Sequence, residues 1–264
     1  MNILFVTQYD PFYIPIFFQE FFRLYKQQEE EIEIEGVVIQ PSLGRSSKLT
    51  LLRQIWGLYG PLNFFRQAGR YIKKKFNYAL YKVGLKQEVL ATSALFREQG
   101  LDILPYTDVN SPEFIEFAKK CKVDLIVSVS ATQIFNKELL AAPRQECINI
   151  HSSPLPEYRG MMPNFWQMYH GEDYSVLTIH RMAEEVDKGE IIHQRKTEIK
   201  PEMTLEELVC EVKVNAAQAC WEVLNQYLND EVEYTPVPDG EGSYFSFPTG
   251  QDAEEFRARG NQLL

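Results

Sequence analysis

The spacing of hydrophobic positions changes from one segment of the chain to the next, and the changes mark its elements. Ile3 to Thr7 is a continuous apolar run of strand length, followed by a loop carrying Pro11 and Pro15 and by helical spacing from Ile16 to Gln28. Ile32 to Ile39 reads as a second strand. A strand, a helix-length crossover and another strand form a βαβ unit, and so predict a parallel sheet. From Leu49 to Gln87 the spacing is helical and rich in aromatic residues, with a break at Gly60-Pro61. Its second half carries one stripe of Leu62, Phe65, Ile72, Phe76, Ala79 and Val83 and another of Arg66, Arg70 and Lys73. An alternating α/β domain needs neither helix, so the segment reads as an insertion.

The alternation then resumes. It predicts a helix at Glu88 to Gln99, a short strand at Ile103 to Tyr106, and a helix to Lys120 that Ser111 caps and Pro112 opens. Asp124 to Val129 and Cys147 to His151 are expected as buried strands, Gly160 to Tyr169 as a helix, and Val176 to Met182 with Glu190 to Ile199 as paired strands. Thr204-Leu205-Glu206-Glu207 is a capping box at the head of a helix reaching Leu228. A turn-rich stretch and a short charged helix, Gln251 to Arg259, complete the chain. The fold class expected is α/β, a Rossmann-like mainly parallel sheet over residues 1–228, with the helical insertion at 49–87 and a C-terminal extension at 229–264.

Composition narrows the setting. A chain of 264 residues, 45% hydrophobic and 24% charged, is an ordinary globular one and excludes disordered, collagen-like and small disulfide-scaffold classes. Its apolar runs fall far short of the roughly 18 residues of a membrane span, and the N-terminus lacks the basic region of a secretory signal. The cysteines, Cys121, Cys147, Cys210 and Cys220, show no C-x-x-C spacing. Cys210 and Cys220 share one helical pattern, about 15 Å apart, too far for a disulfide. Reduced thiols, a cytoplasmic location and no metal site are expected.

The charge is unevenly spread. Gly36 to Gln87 holds ten basic side chains and no acidic one, although the whole chain is at -10. Such a segment suits an anionic part of a substrate or an anionic membrane surface, which would make the protein peripheral to the inner membrane face; the alternative is that its apolar stripe packs on the core and the cations only solubilise it. Nucleic acid is disfavoured, because no recognised binding module accompanies the patch.

The densest chemistry lies in Asn149-Ile150-His151-Ser152-Ser153-Pro154-Leu155-Pro156-Glu157-Tyr158-Arg159-Gly160. Strand alternation puts Asn149 and His151 on one face, an amide beside an imidazole, at the C-terminal end of an inferred parallel strand. A second cluster, Ala183-Glu184-Glu185-Val186-Asp187-Lys188-Gly189-Glu190, is an acidic turn whose carboxylate can fold back on His151. No G-x-G-x-x-G or Walker sequence is present. Neither is the G-x-S-x-G elbow that a serine hydrolase built on Ser152 and His151 would need. His170, His180 and His193 show no ligand spacing and read as structural or surface residues.

Asn149-x-His151 with Ser153 to Gly160 (Ser-x-Leu-Pro-x-x-Arg-Gly), joined to Val186-Asp187-x-Gly189-x-Ile191-Ile192, resembles the formyltransferase family that uses 10-formyltetrahydrofolate. The resemblance covers about Asn110 to Leu228, and Met1 to Ile39 more loosely. It implies a catalytic domain over residues 1–228, with Asn149 and His151 as catalytic amide and imidazole and Asp187 as the carboxylate that keeps the imidazole charged. It further implies a folate pocket between Ser130, Ala131, Thr132, Gln133, Ile134 and Phe135 on one side and Ala183, Glu184, Glu185 and Val186 on the other. The reaction implied is formyl transfer from 10-formyltetrahydrofolate, as co-substrate, to a primary amine of a small acceptor such as an amino-sugar or nucleotide-sugar.

Other readings on the same scaffold are a formyltetrahydrofolate hydrolase, a methionyl-tRNA formyltransferase-like enzyme and a non-catalytic folate-binding or membrane-surface adaptor. The first two families carry a regulatory domain before the first strand or a β-barrel after the last long helix, and the chain is expected to have neither. The joint Asn149, His151 and Asp187 set speaks against the third.

Overall fold

The computed structural model describes residues 1–27, 31–42, 48–237 and 242–264. Gln28, the expected end of the first helix, and Arg45 of the basic segment lie outside them, and the side chain of Lys48 is likewise not described.

In chain order the elements are β1 (Asn2–Gln8), α1 (Ile14–Tyr25), β2 (Glu33–Gln40), α2 (Lys48–Lys82), α3 (Thr92–Glu98), β3 (Ile103–Leu104), α4 (Pro112–Lys120), β4 (Leu125–Val129), α5 (Lys137–Leu140), β5 (Glu146–His151), β6 (Arg159–Gly160), α6 (Pro163–His170), β7 (Tyr174–Arg181), β8 (Ile191–Glu198), α7 (Leu205–Leu228), β9 (Tyr244–Phe245) and α8 (Gly250–Ala258). Seven strands form one sheet in the order β3-β2-β1-β4-β5-β7-β8. The first five run parallel; β7 and β8 are antiparallel additions beside β5. The α/β class with a mainly parallel sheet is therefore the fold observed.

Both faces of the sheet are covered, as a parallel sheet requires. Alternate residues of β1 supply the two cores. Ile3 and Phe5 face α1 and α7, and Leu4 and Val6 face α4 and α5. Phe5 meets Phe18 and Phe21 edge to face at 5.3 and 5.0 Å, and Phe18 meets Phe96 at 4.9 Å, so a cluster of phenylalanines fixes α1 and α3 on the sheet.

The capping predictions hold in detail. Ser111 accepts a hydrogen bond from the Phe114 amide, and Thr204 and Glu207 cap α7 reciprocally. The helix expected at Gly160 starts later. Gly160 has φ +95° and pairs with Phe245 in a small parallel sheet, where a Cβ would lie 2.2 Å from the Phe245 carbonyl oxygen; Pro163 then opens α6. The helix expected from Glu88 begins only at Thr92.

α2 is broken at Gly60, which has φ 68° and ψ 173°, where Gly60-Pro61 predicted an interruption. It supplies no strand. α8 packs beside it, with Gly57 and Gly250 in close backbone approach, and Phe256 of α8 stacks on Phe165 at 4.6 Å.

Candidate functional site

The strand order reverses its direction of growth between β1 and β4, and an open parallel sheet leaves a crevice beyond its strand ends at such a point. A cavity of about 870 Å³ occupies that place. Gln8 from the end of β1, Ser130 and Ala131 after β4, and Asn149, His151 and Ser152 at the end of β5 all line it.

Asn149 and His151 project from the same side of β5 because they are two residues apart. Across the antiparallel junction Asn149 pairs in register with His180 of β7. The Asn149 Nδ2 lies 3.2 Å from His180 Nε2, and His180 Nδ1 lies 2.9 Å from the Arg181 carbonyl oxygen. A ring that donates from Nδ1 to that carbonyl presents Nε2 as an acceptor, so it takes one amide hydrogen of Asn149 and leaves the other directed elsewhere.

Asp187 sits between the two imidazoles, 3.8 Å from His151 Nε2 and 3.6 Å from His180 Nε2. It holds this place in the left-handed backbone region, φ 55°. Two residues on, a Cβ on Gly189 would fall 1.7 Å from the Arg181 carbonyl oxygen, so the Asp187-x-Gly189 spacing has a steric basis: the turn folds flat against β7. Burial works against ionisation of Asp187, but the neighbouring His180 and His151 imidazoles and a backbone hydrogen bond at Gly160 prevail and hold its carboxyl below the ordinary range.

His151 behaves otherwise than expected. Burial pushes its pKa down, aided by His180 and Lys213, and the attraction of Asp187 and a backbone hydrogen bond at Tyr158 only partly oppose this. These influences incline the imidazole to the neutral form, where a ring kept charged by Asp187 was expected. Its Nε2 is buried and has no hydrogen-bond partner among the described residues.

All six residues from Ser130 to Phe135 line the cavity, and so do Ala183 and Val186. Glu184 and Glu185 do not. Their side chains are exposed and lie against Lys137 and Lys188, respectively. The 130–135 loop is fixed from behind by Gln40, whose Oε1 accepts from the Thr132 amide at 2.8 Å and whose Nε2 donates to Gln133 Oε1 at 2.6 Å. Gln133 Oε1 also accepts from the Val109 amide at 3.0 Å.

Several lining residues had no part in the expectation drawn from the motifs. His180 is one, and its signal was its place on the strand after Val176, unreadable without the β5–β7 register. Lys213 is another. Spacing of four along α7 puts it on the face of Leu205 and Val209, which also line the cavity, so a lone cation on an apolar stripe was the available signal. Its Nζ donates to Ser130 Oγ at 3.2 Å, and burial pushes its pKa down. Tyr244 and Phe247 reach the cavity from the C-terminal segment.

A family model described as formyl transferase matches residues 84–224. The chain belongs to the formyl transferase family. The methionyl-tRNA formyltransferase of Agathobacter rectalis is 31% identical over 147 residues, covering 56% of this chain and 47% of that protein. That of Sorangium cellulosum is 32% identical over 139 residues, covering 53% and 45%. The chain therefore spans about half the length of the curated relatives it matches. Among solved structures, a sugar N-formyltransferase from Shewanella sp FDAARGOS_354 superposes with a TM-score of 0.58 at 17% identity, covering 93% of this chain and 76% of that one. Glycinamide ribonucleotide transformylase 1 from Symbiobacterium toebii gives 0.60 at 15% identity, covering 90% and 94%. At these identities the structural likeness establishes the shared formyltransferase fold.

Proposed function

We propose that this formyl transferase family member moves a formyl group from 10-formyltetrahydrofolate to the primary amine of a small, anionic acceptor. The observation that carries the reading is the convergence of Asn149, His151 and Asp187 on the wall of a cavity of about 870 Å³, with His151 Nε2 3.8 Å from Asp187. That volume suits a folate head group and an acceptor side by side. The 130–135 loop, Ala183 and Val186 line the cavity, and backbone donors and acceptors there would suit a pterin's hydrogen-bonding edge.

In this mechanism the amine nitrogen attacks the formyl carbon, a C–N bond forms, and the carbonyl electron pair moves to oxygen. The free N–H of Asn149 meets the oxyanion. His151, neutral beforehand, takes the ammonium proton through water and becomes charged as the oxyanion develops beside it. Ionised Asp187 stabilises that imidazolium. On collapse the C–N bond to the folate nitrogen breaks, and His151 returns the proton to that leaving nitrogen. The products are a formamide and tetrahydrofolate.

The acceptor is read as anionic because Lys213 stands at the cavity with a neutral hydroxyl as its hydrogen-bond partner. Nucleotide-linked amino-sugars meet that requirement. One fold neighbour, from Helicobacter canadensis, is described in complex with folinic acid and dTDP-3-aminofucose. The test is to incubate the protein with 10-formyltetrahydrofolate and, in separate arms, nucleotide-linked amino-sugars, amino-sugars without phosphate, initiator methionyl-tRNA and buffer alone. Products are read by mass. Formylation of a phosphate-bearing small amine is expected. Formylation confined to the tRNA arm, or folate hydrolysis alone, would overturn the reading.

A further inference from the structure

Before Gly60, α2 buries Leu58 in the core; beyond it, the helix meets the rest of the protein through polar contacts. Arg70 forms a bidentate ion pair with Glu206, with Nη1 2.8 Å from Oε2. Arg70 and Lys74 both lie over the Phe12 ring, at 5.6 and 5.5 Å. Tyr78 shares a hydrogen bond with Ser93 at 2.6 Å, and Gln67 is buried. The opposite side carries the apolar stripe. Leu62, Phe65, Ile72, Phe76 and Val83 are 82, 66, 66, 62 and 68% exposed. A helix that serves only to close a globular fold is arranged the other way, with its apolar stripe inward.

The stripe is regular. Leu62, Phe65, Gly69, Ile72, Phe76, Ala79 and Val83 alternate spacings of three and four, so they line one edge of the helix. Before the Gly60 break, Leu49, Leu52 and Trp56 continue the same spacing and are also exposed. Trp56 packs against Phe64 and Phe65 across the break, at 5.1 and 6.1 Å, which joins the two apolar edges into one surface.

Its flanks decide what covers it. Arg66, Lys73, Lys75 and Lys82 border the stripe and are exposed, Arg53 stands exposed on the first half, and Gly36 to Gln87 contains no acidic residue. A second copy on this stripe would set cations against cations in either orientation. An anionic bilayer surface accepts both features, with apolar side chains in the acyl boundary and cations among the headgroup phosphates. Among the described residues no helix is long and apolar enough to cross a membrane, so the contact would be one-sided.

We propose that α2 docks the protein on an anionic phospholipid surface through the Leu49-to-Val83 stripe and its cationic flanks. Leu51 and Gln54 of the same helix line the cavity, so docking sets the rim of the candidate site beside the bilayer.

The test uses the whole chain and sedimentation with vesicles of phosphatidylcholine alone or mixed equally with phosphatidylglycerol, and needs no turnover. Three proteins are compared: wild type, Phe65→Ser/Ile72→Ser/Phe76→Ser, and Arg66→Gln/Lys73→Gln/Lys75→Gln. These side chains are exposed, and unchanged circular dichroism checks that both variants fold. Wild type is expected to pellet with the mixed vesicles, less at high salt, and to gain a Trp56 blue shift that Trp56→Phe removes. Each triple variant should partition at least tenfold less. Equal pelleting with phosphatidylcholine alone, no pelleting, unchanged pelleting of either triple variant, or a wild-type dimer that the apolar variant dissociates would overturn the proposal.

Discussion

Asn149 and His180 face one another across the junction where the parallel sheet turns antiparallel, with Nδ2 and Nε2 3.2 Å apart. His180 is fixed in turn by the Arg181 carbonyl and lies 3.6 Å from Asp187. It touches Asn149 and lies beside Asp187, and is placed to orient both, which makes it a positioning residue. His180→Ala leaves the half-buried Asn149 amide without its acceptor, and a loss of this kind costs about 1–3 kcal/mol, or roughly ten- to hundredfold in kcat. The folate KM should stay near wild type. His180→Asn, which can supply an acceptor oxygen, should recover part of the rate. Equal effects of the two substitutions, or a change confined to KM, would show that His180 does not act through Asn149.

Formyl transfer should be abolished by His151→Ala and by Asp187→Asn with the fold intact, because both side chains stand at the cavity wall. Asn149→Ala removes a donor used only as charge develops, so its rate should fall about 100- to 1000-fold with little change in folate KM. Steady-state kinetics with the acceptor found by mass screening, alongside thermal melts, checks all three.

How much of this was legible in the sequence depends on which interactions set each feature. The parallel core was readable because Ile3 to Thr7 and Asp124 to Val129 are buried on both faces and show it as continuous apolar runs. Ser111 and Thr204 were readable because a cap is a local hydrogen bond. The role of Gly160 was not, since it depends on Phe245, 85 positions further along. His180 was hidden for the same reason: its partner, Asn149, is set by strand register. The outward turn of the α2 stripe could not be read from periodicity, which reports that a face is apolar but not which way it points. The ionic contact with Glu206 and the rings of Phe12 decide that.

Gly189→Ala tests the turn that carries Asp187. The added Cβ would meet the Arg181 carbonyl, a backbone atom of β7 that cannot step aside without disturbing the pairing of β7 with its neighbours. Overpacking of this kind typically costs about 1–3 kcal/mol, and the displaced Asp187 should lower kcat further than the melt alone explains. An unchanged melting temperature with full activity would show that the turn relaxes freely.

Acid should destabilise the protein before its carboxylates titrate. Burial lowers the pKa of His151 and of His193 in the fold. In the unfolded chain both return to about 6.5. Below that value the unfolded state binds protons that the folded state resists, so stability is lost as the pH falls through 6.5 towards the folded-state values. Asp187, also lowered, adds a further loss in the carboxylate range below its ordinary 3.8. The melting temperature should fall between pH 7 and 5, and His151→Asn should flatten that slope. A melting temperature that rises on acidification to pH 5 would contradict the burial account.

Lys213 separates stability from binding. Its ammonium stands at the cavity against the pull of burial, with Ser130 Oγ at 3.2 Å and the charge of Asp10 favouring ionisation. A cation kept in such a place costs the fold free energy that an apolar side chain of like length does not. Lys213→Met should therefore raise the melting temperature. The same change removes the charge proposed to hold the acceptor's anionic group, so acceptor KM should rise about tenfold or more while folate KM stays, consistent with hydrogen bonds to charged groups being worth about 1.5–3 kcal/mol. High salt should raise acceptor KM for wild type and much less for the variant. The two readouts discriminate. A purely structural lysine would lower the melting temperature when replaced and leave KM alone, whereas a lysine that binds folate would raise the folate KM instead.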